Sequence, residues 1–196
     1  MTTRPKVCID KVLPRDLMRQ QPTTRSGGRP RAIAPIGKTW MNGSRLQVRF
    51  MGGTSAQKNT AREQAGWWSQ HANLTFDFND APGADIRITF DPQLGAWSYV
   101  GTDCKGIPLN QATMNLGFLD GGTTAHEFGH AIGLAHEHNR PDTPETCDES
   151  RQGTNGDRAV GSWDVNSVMN YCNPVYNNGG NLSSGDVRGI ATMYGE

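Results

Sequence analysis

Residues 46–50, Leu46-Gln47-Val48-Arg49-Phe50, alternate apolar and polar side chains and run into Gly52-Gly53, the pattern of a half-buried strand followed by a turn. The same period of two recurs in Leu74-Thr75-Phe76-Asp77-Phe78 and Ile86-Arg87-Ile88-Thr89-Phe90, and more weakly in Thr113-Met114-Asn115-Leu116. Between the first two, from Ser55 to about His71, Ala61, Ala65 and Trp68 recur at helical spacing behind a serine fit to cap a helix. A second helix is expected from about Thr123, with Asp120 or Thr123 as cap and Phe128, Ala131 and Ile132 as its apolar side. Residues 137–182 show little periodicity and are rich in Asn, Asp, Gly and Pro. Loops of that length serve a function or are held by cross-links. Ser183-Ser184-Gly185-Asp186 is a capping-box variant that opens a closing helix, with Val187, Ile190 and Met193 inward. Residues 1–37 keep neither period: Arg19, Arg25, Arg29 and Arg31 alternate with Pro, Gly, Thr and Ser, as in an arm or linker.

The pattern fits one domain with a cleft between two lobes, and the 196 residues suffice for a substantial core. With 19 Lys+Arg against 19 Asp+Glu there is no single-sign field, so neither nucleic acid nor a membrane surface is an expected partner. No apolar run approaches the roughly 18 residues of a membrane span, and the start of the chain lacks the apolar stretch of a secretory leader. Cys8, Cys104, Cys147 and Cys172 form no CxxC pair. They allow two disulfides in three connectivities, and the even count favours export to an oxidising compartment.

His126-Glu127-Phe128-Gly129-His130 is an HExxH motif. At about 100° per residue its two histidines differ by about 40° and share one helical face, so both can reach one ion. A catalytic zinc takes a third protein ligand and keeps one position open. His136 is the candidate. On a continuous helix it would be turned by about 240° and raised by about 9 Å from His130, so the helix must stop between them. Gly133 is placed to reverse the chain there. Glu127, beside His126 and aimed next to the ion, suits a base that takes a proton from metal-activated water and returns it to a leaving amine.

His126 to His136 resembles the metzincin signature HExxHxxGxxH, and Ser167-Val168-Met169-Asn170-Tyr171 resembles the Met-turn. His136-Glu137-His138-Asn139-Arg140-Pro141-Asp142 is similar to the HExxRxD continuation of astacins, while Thr143 and Pro144 depart from it. The segment from Leu182 to Gly195 looks like the C-terminal helix of matrixins. The resemblance implies an α+β metzincin-like fold: a mixed twisted sheet with two long helices in an N-terminal lobe, 38–136, and an irregular lobe ending in a helix, 137–196. Residues 1–37 are then an arm or a prosegment.

The same resemblance implies an apolar floor at Met169 beneath the histidines. It makes Tyr171 a displaceable fifth zinc ligand that also stabilises the oxyanion. It makes Trp97-Ser98-Tyr99-Val100 an edge strand that pairs with substrate backbone, and Trp40 to Phe50 the first strand. In astacins the glutamate after the third histidine meets the mature N-terminus, yet nearly forty residues precede Trp40 here, which is why part of 1–37 is expected to be removable or shielding. Cys8 could block zinc as a thiolate, though a disulfide is its commoner use. His138 and His71 show no partner pattern and are left outside the site.

The expectation is a monomeric zinc endopeptidase acting on peptides or proteins. Two alternatives stay open: a zinc-containing peptide-binding or toxin-like module without turnover, and a hydrolase of a non-protein amide.

Overall fold

The computed structural model describes residues 8–18, 34–35, 37–156 and 159–195. Among them, six strands form one mixed sheet: β1 (Cys8–Lys11), β2 (Arg45–Phe50), β3 (Thr75–Asp77), β4 (Ile86–Thr89), β5 (Ala96–Tyr99) and β6 (Met114–Leu116), in the order β1-β5-β6-β4-β2-β3. Only the β5–β6 pairing is antiparallel. A short helix α1 (Arg15–Met18) follows β1. Helices α2 (Ser55–Ser69) and α3 (Thr123–Ala131) pack against each other and the sheet, and α4 (Ser184–Tyr194) closes the chain. No helix among the described residues is long and apolar enough to cross a membrane.

The strands form where the alternation places them, and their inward residues Leu46, Val48, Ile86, Ile88, Met114 and Leu116 are buried. They meet Ala61, Ala65 and Trp68 of α2 and Ala125 and Phe128 of α3. Each large apolar side chain in this layer contributes about 1.5–3 kcal/mol by leaving water. Phe128 also sits edge-on to Phe76, with centroids 5.1 Å apart.

Several local expectations are corrected. The strand expected from Trp40 begins only at Arg45 and is the second in the chain, β2; Trp40 instead donates its indole N–H to the Ala131 carbonyl at the end of α3. The cap of α2 is Thr54, not Ser55, because Gln57 completes a reciprocal box with it. Helix α3 is preceded by Gly122 and has no side-chain cap from Asp120 or Thr123. Its orphan N–H at Ala125 is satisfied from another helix: Gln64 Oε1 of α2 accepts it at 2.9 Å. The Trp68 indole donates to the Ala125 carbonyl at 2.8 Å, so α2 holds α3 at both polar groups of one residue. Arg87, on the polar side of its strand's alternation, is buried. Its guanidinium donates to the carbonyls of Ala84, Ile107 and Gln111 and pins the loop that leads to β6.

The largest departure is at the start of the chain. Cys8–Lys11 is a strand, paired in parallel with β5 in the register Cys8 to Ala96 through Lys11 to Tyr99. The strand at Trp97 to Tyr99 is therefore the second in the sheet, its outer edge already taken. The arginines between Arg19 and Arg31 lie outside the described residues.

Candidate metal centre and active site

Helix α3 ends as the ligand spacing requires. Gly133 has φ of +102°, its N–H donates to the His130 carbonyl at 2.8 Å, and the Leu134 N–H donates to the Gly129 carbonyl at 2.9 Å. This pair of bonds is the Schellman motif, which reverses the chain after the last helical turn. The reversal brings His136 back: its Nε2 lies 3.2 Å from His130 Nε2, which in turn lies 3.1 Å from His126 Nε2.

The tautomers follow from the partners. His126 Nδ1 faces the Val168 carbonyl and His130 Nδ1 the Leu134 carbonyl, each at 2.8 Å. A carbonyl only accepts, so both Nδ1 atoms carry the proton and both Nε2 atoms present lone pairs. His136 Nδ1 stands 3.4 Å from Asp10 Oδ1. Burial lowers the basicity of all three rings, so they are neutral ligands. Converging lone pairs without a proton between them repel unless a cation joins them. Tetrahedral bonds of about 2.0–2.1 Å from zinc to nitrogen need nitrogens about 3.3 Å apart, close to the spacing found. The three histidines thus fit a zinc ion.

Glu127 is buried, and neither carboxylate oxygen has a partner at hydrogen-bonding geometry; burial pushes its carboxyl well above the usual range, the neighbouring Cys8 thiol opposing the shift and the charge of Asp10 adding to it. Cys8 is a free thiol, contrary to the expected disulfide; its sulfur, a His126 nitrogen and a Glu127 oxygen lie within 4.8 Å of one another. Burial raises that thiol well above its ordinary value. Cys104 is also free and buried, and Cys147–Cys172 is the disulfide among the described residues. It ties the long irregular segment to the turn bearing Tyr171.

Tyr171 lies over the metal-ligand rings, with centroids 4.6 Å from His136 and 5.6 Å from His126, and its hydroxyl donates to the Cys8 carbonyl. Met169 is buried against α3 at Gly129, where an added Cβ would meet its sulfur at 2.5 Å. The Glu137 N–H donates to the Met169 carbonyl at 2.9 Å, joining the third-ligand segment to this turn. Glu137 itself accepts from the Asp164 N–H at 3.0 Å, and burial pushes its carboxyl up to about 8.

Three neighbours escaped the sequence reading. His138 is buried and stacks on both His136 and Tyr171, at 4.9 and 4.8 Å, and burial lowers it to about 4. Its two-residue spacing from His136 is the one signal that could have found it. Asp10, held by the Thr154 N–H at 2.5 Å, has no local signature. Asp186 reads as the third-position partner of the Ser183 capping box and is one, but it also accepts from Ser167 Oγ at 2.7 Å and the Val168 N–H at 2.9 Å.

A zinc-binding helix, a reversed third ligand and a methionine turn beneath a mixed sheet define the metzincin class of metallopeptidases. The sequence model of the Astacin peptidase family matches residues 32–157, and the chain belongs to that astacin family of zinc metallopeptidases. It is 32% identical over 158 residues to Zinc metalloproteinase nas-30 of Caenorhabditis elegans, covering 74% of this chain and 21% of that protein. It is 30% identical over 137 residues to Blastula protease 10 of Paracentrotus lividus, covering 60% and 23%. The chain thus spans about a fifth of the length of these curated relatives. Among solved structures it is similar to myroilysin, with a TM-score of 0.67 and 30% identity over 82% of this chain and 97% of that one. The hatching enzyme High choriolytic enzyme 1 of Oryzias latipes shares the fold, with a TM-score of 0.58 and 14% identity over 80% of this chain and 94% of that one.

Proposed function

We propose that the chain hydrolyses internal peptide bonds of polypeptides, a reading that rests on the convergence of three neutral histidine nitrogens beside the unpartnered Glu127 carboxylate. A zinc ion held by His126, His130 and His136 would supply the Lewis acidity that makes water nucleophilic near neutral pH. Glu127 accepts a proton from the attacking water and hands it to the departing amine. Burial keeps the Tyr171 phenol protonated far beyond physiological pH, so its O–H is a donor for the negative oxygen that develops on the carbonyl. Met169 supports the ligand rings from below, and Gly133 sets the reversal that presents His136.

Residues 8–11 act as a shield within this reading. Strand β1 occupies the edge of β5 on which Trp97, Ser98, Tyr99 and Val100 would otherwise pair with substrate. Its parallel course and the Cys8 thiol beside His126 and Glu127 make it an occupant of the cleft. In this reading residues 1–37 are the arm and 38–196 the catalytic domain, with lobes 38–136 and 137–196. Export to an oxidising compartment is supported by the Cys147–Cys172 disulfide.

The test is digestion of a mixed peptide library, with and without a zinc chelator, by the full chain and by a form nicked within residues 19–33. Chelator-sensitive internal cuts that rise after nicking are expected. Cuts that persist with zinc removed would overturn the reading.

A further inference from the structure

Beside the metal centre lies a cavity of about 250 Å³, bounded on one side by Tyr171 and Cys8. Most of its wall is apolar, and two buried polar atoms stand out in it. Asn177 is buried with its side-chain Oδ1 unpartnered, and Asn173 is buried with its Nδ2 unpartnered. An unpartnered buried polar atom costs roughly 1–3 kcal/mol unless something satisfies it.

The backbone holds Asn177 there against its own preference. Asn177, Asn178 and Gly179 are three successive left-handed residues, with φ of +45°, +53° and +58°. Asparagine tolerates that region better than most residues, but two in a row persist only where the surroundings enforce them. Asn177 Nδ2 lies 3.5 Å from Thr123 Oγ1 at the start of α3. That contact leaves Oδ1 as the free acceptor.

The remaining lining completes one chemistry. Exposed Glu149 is the charged residue of the described lining, and no cation lines the cavity among the described residues. Tyr171 and Tyr176 add aromatic walls. An acidic side chain entering the pocket could accept from Asn173 Nδ2 but would meet the Glu149 carboxylate and leave Asn177 Oδ1 unpartnered. An aliphatic one would leave Asn177 Oδ1 without a partner. A lysine or arginine lays its methylene stem along the tyrosines and brings its N–H groups to both acceptors, with a cation–π contribution.

From this geometry we infer that the cavity is the side-chain pocket for the substrate residue flanking the scissile bond and that it selects lysine or arginine, an inference that rests on the proposed peptide hydrolysis.

The test uses the zinc-loaded chain carrying Cys8→Ala and nicked within residues 19–33, so that β1 no longer holds the cleft, with and without Glu149→Lys. Cut sites in a peptide library are read by mass spectrometry. Binding is read separately in the same forms with Glu127→Ala added. The binding probes are alanine-based decapeptides bearing Lys, Glu or Leu at alternate positions, so that any register presents the residue. Cuts beside Lys or Arg are expected, with the Lys series bound about tenfold or more tightly than the Leu series, and Glu149→Lys should shift both readouts toward Glu. Preference for Leu or Glu, a ratio that Glu149→Lys leaves unchanged, or binding of no series would overturn the inference. Lys-selective binding without any cleavage would overturn the peptidase reading and leave only the cavity's preference for lysine or arginine standing. Cleavage with an apolar or acidic preference would do the reverse.

Discussion

Asp186 accepts the Val168 N–H at 2.9 Å, and the carbonyl of the same Val168 receives Nδ1 of the zinc ligand His126. The capping box of the closing helix thus sets the position of a ring at the metal centre. Partners behind a metal ligand fix its tautomer and orientation. Asp186→Ala removes the acceptor for Ser167, Val168 and Ser183 together. We expect a loss of about 3 kcal/mol in unfolding free energy and about tenfold weaker zinc binding. Urea unfolding and a zinc titration check both; unchanged zinc affinity would show that the turn holds His126 without the helix.

Gly129 faces Met169 and Trp68, where a Cβ would come to 2.5 Å of the sulfur and 3.1 Å of the indole. Helix propensity alone says that Gly129→Ala should stabilise by about 1 kcal/mol. Overpacking between two buried side chains costs about 1–3 kcal/mol and wins, because Met169 is buried and its sulfur already lies against Gly129. A net destabilisation is expected in chemical unfolding, and a gain would show that the methionine yields freely.

Tyr171→Phe keeps the ring stacked on His126 and His138 and removes the phenol O–H. If that O–H is the oxyanion donor we propose, kcat should fall about a hundredfold while zinc content and KM stay near wild type. Steady-state kinetics on one peptide, with metal analysis of the same sample, decide it. Full kcat would reduce Tyr171 to a packing residue.

What can be read from the sequence is what depends on neighbours along the chain. His126 and His130 share a face by helical period, and Gly133 is placed by the demand that His136 return. The box of Ser183 and Asp186 is complete within four residues. What cannot be read depends on pairing across the chain. Strand β1 meets β5 some ninety residues away, and four residues with no flanking period carry no sign of a parallel partner. Arg87 falls on the polar side of its strand, and burial there follows only from the loop that supplies its carbonyl acceptors. Asp10 and the second task of Asp186 have the same cause. The cysteines allow two bridges, and burial beside Glu127 leaves Cys8 a thiol.

The central claim is that Glu127 moves the proton at a zinc centre built from His126, His130 and His136. The most direct measurement is zinc content and peptide cleavage of wild type and Glu127→Ala, each also after metal removal. The account predicts equal zinc in both, cleavage by zinc-loaded wild type alone, and a loss of at least about a hundredfold in the variant. Normal cleavage by zinc-loaded Glu127→Ala would contradict it.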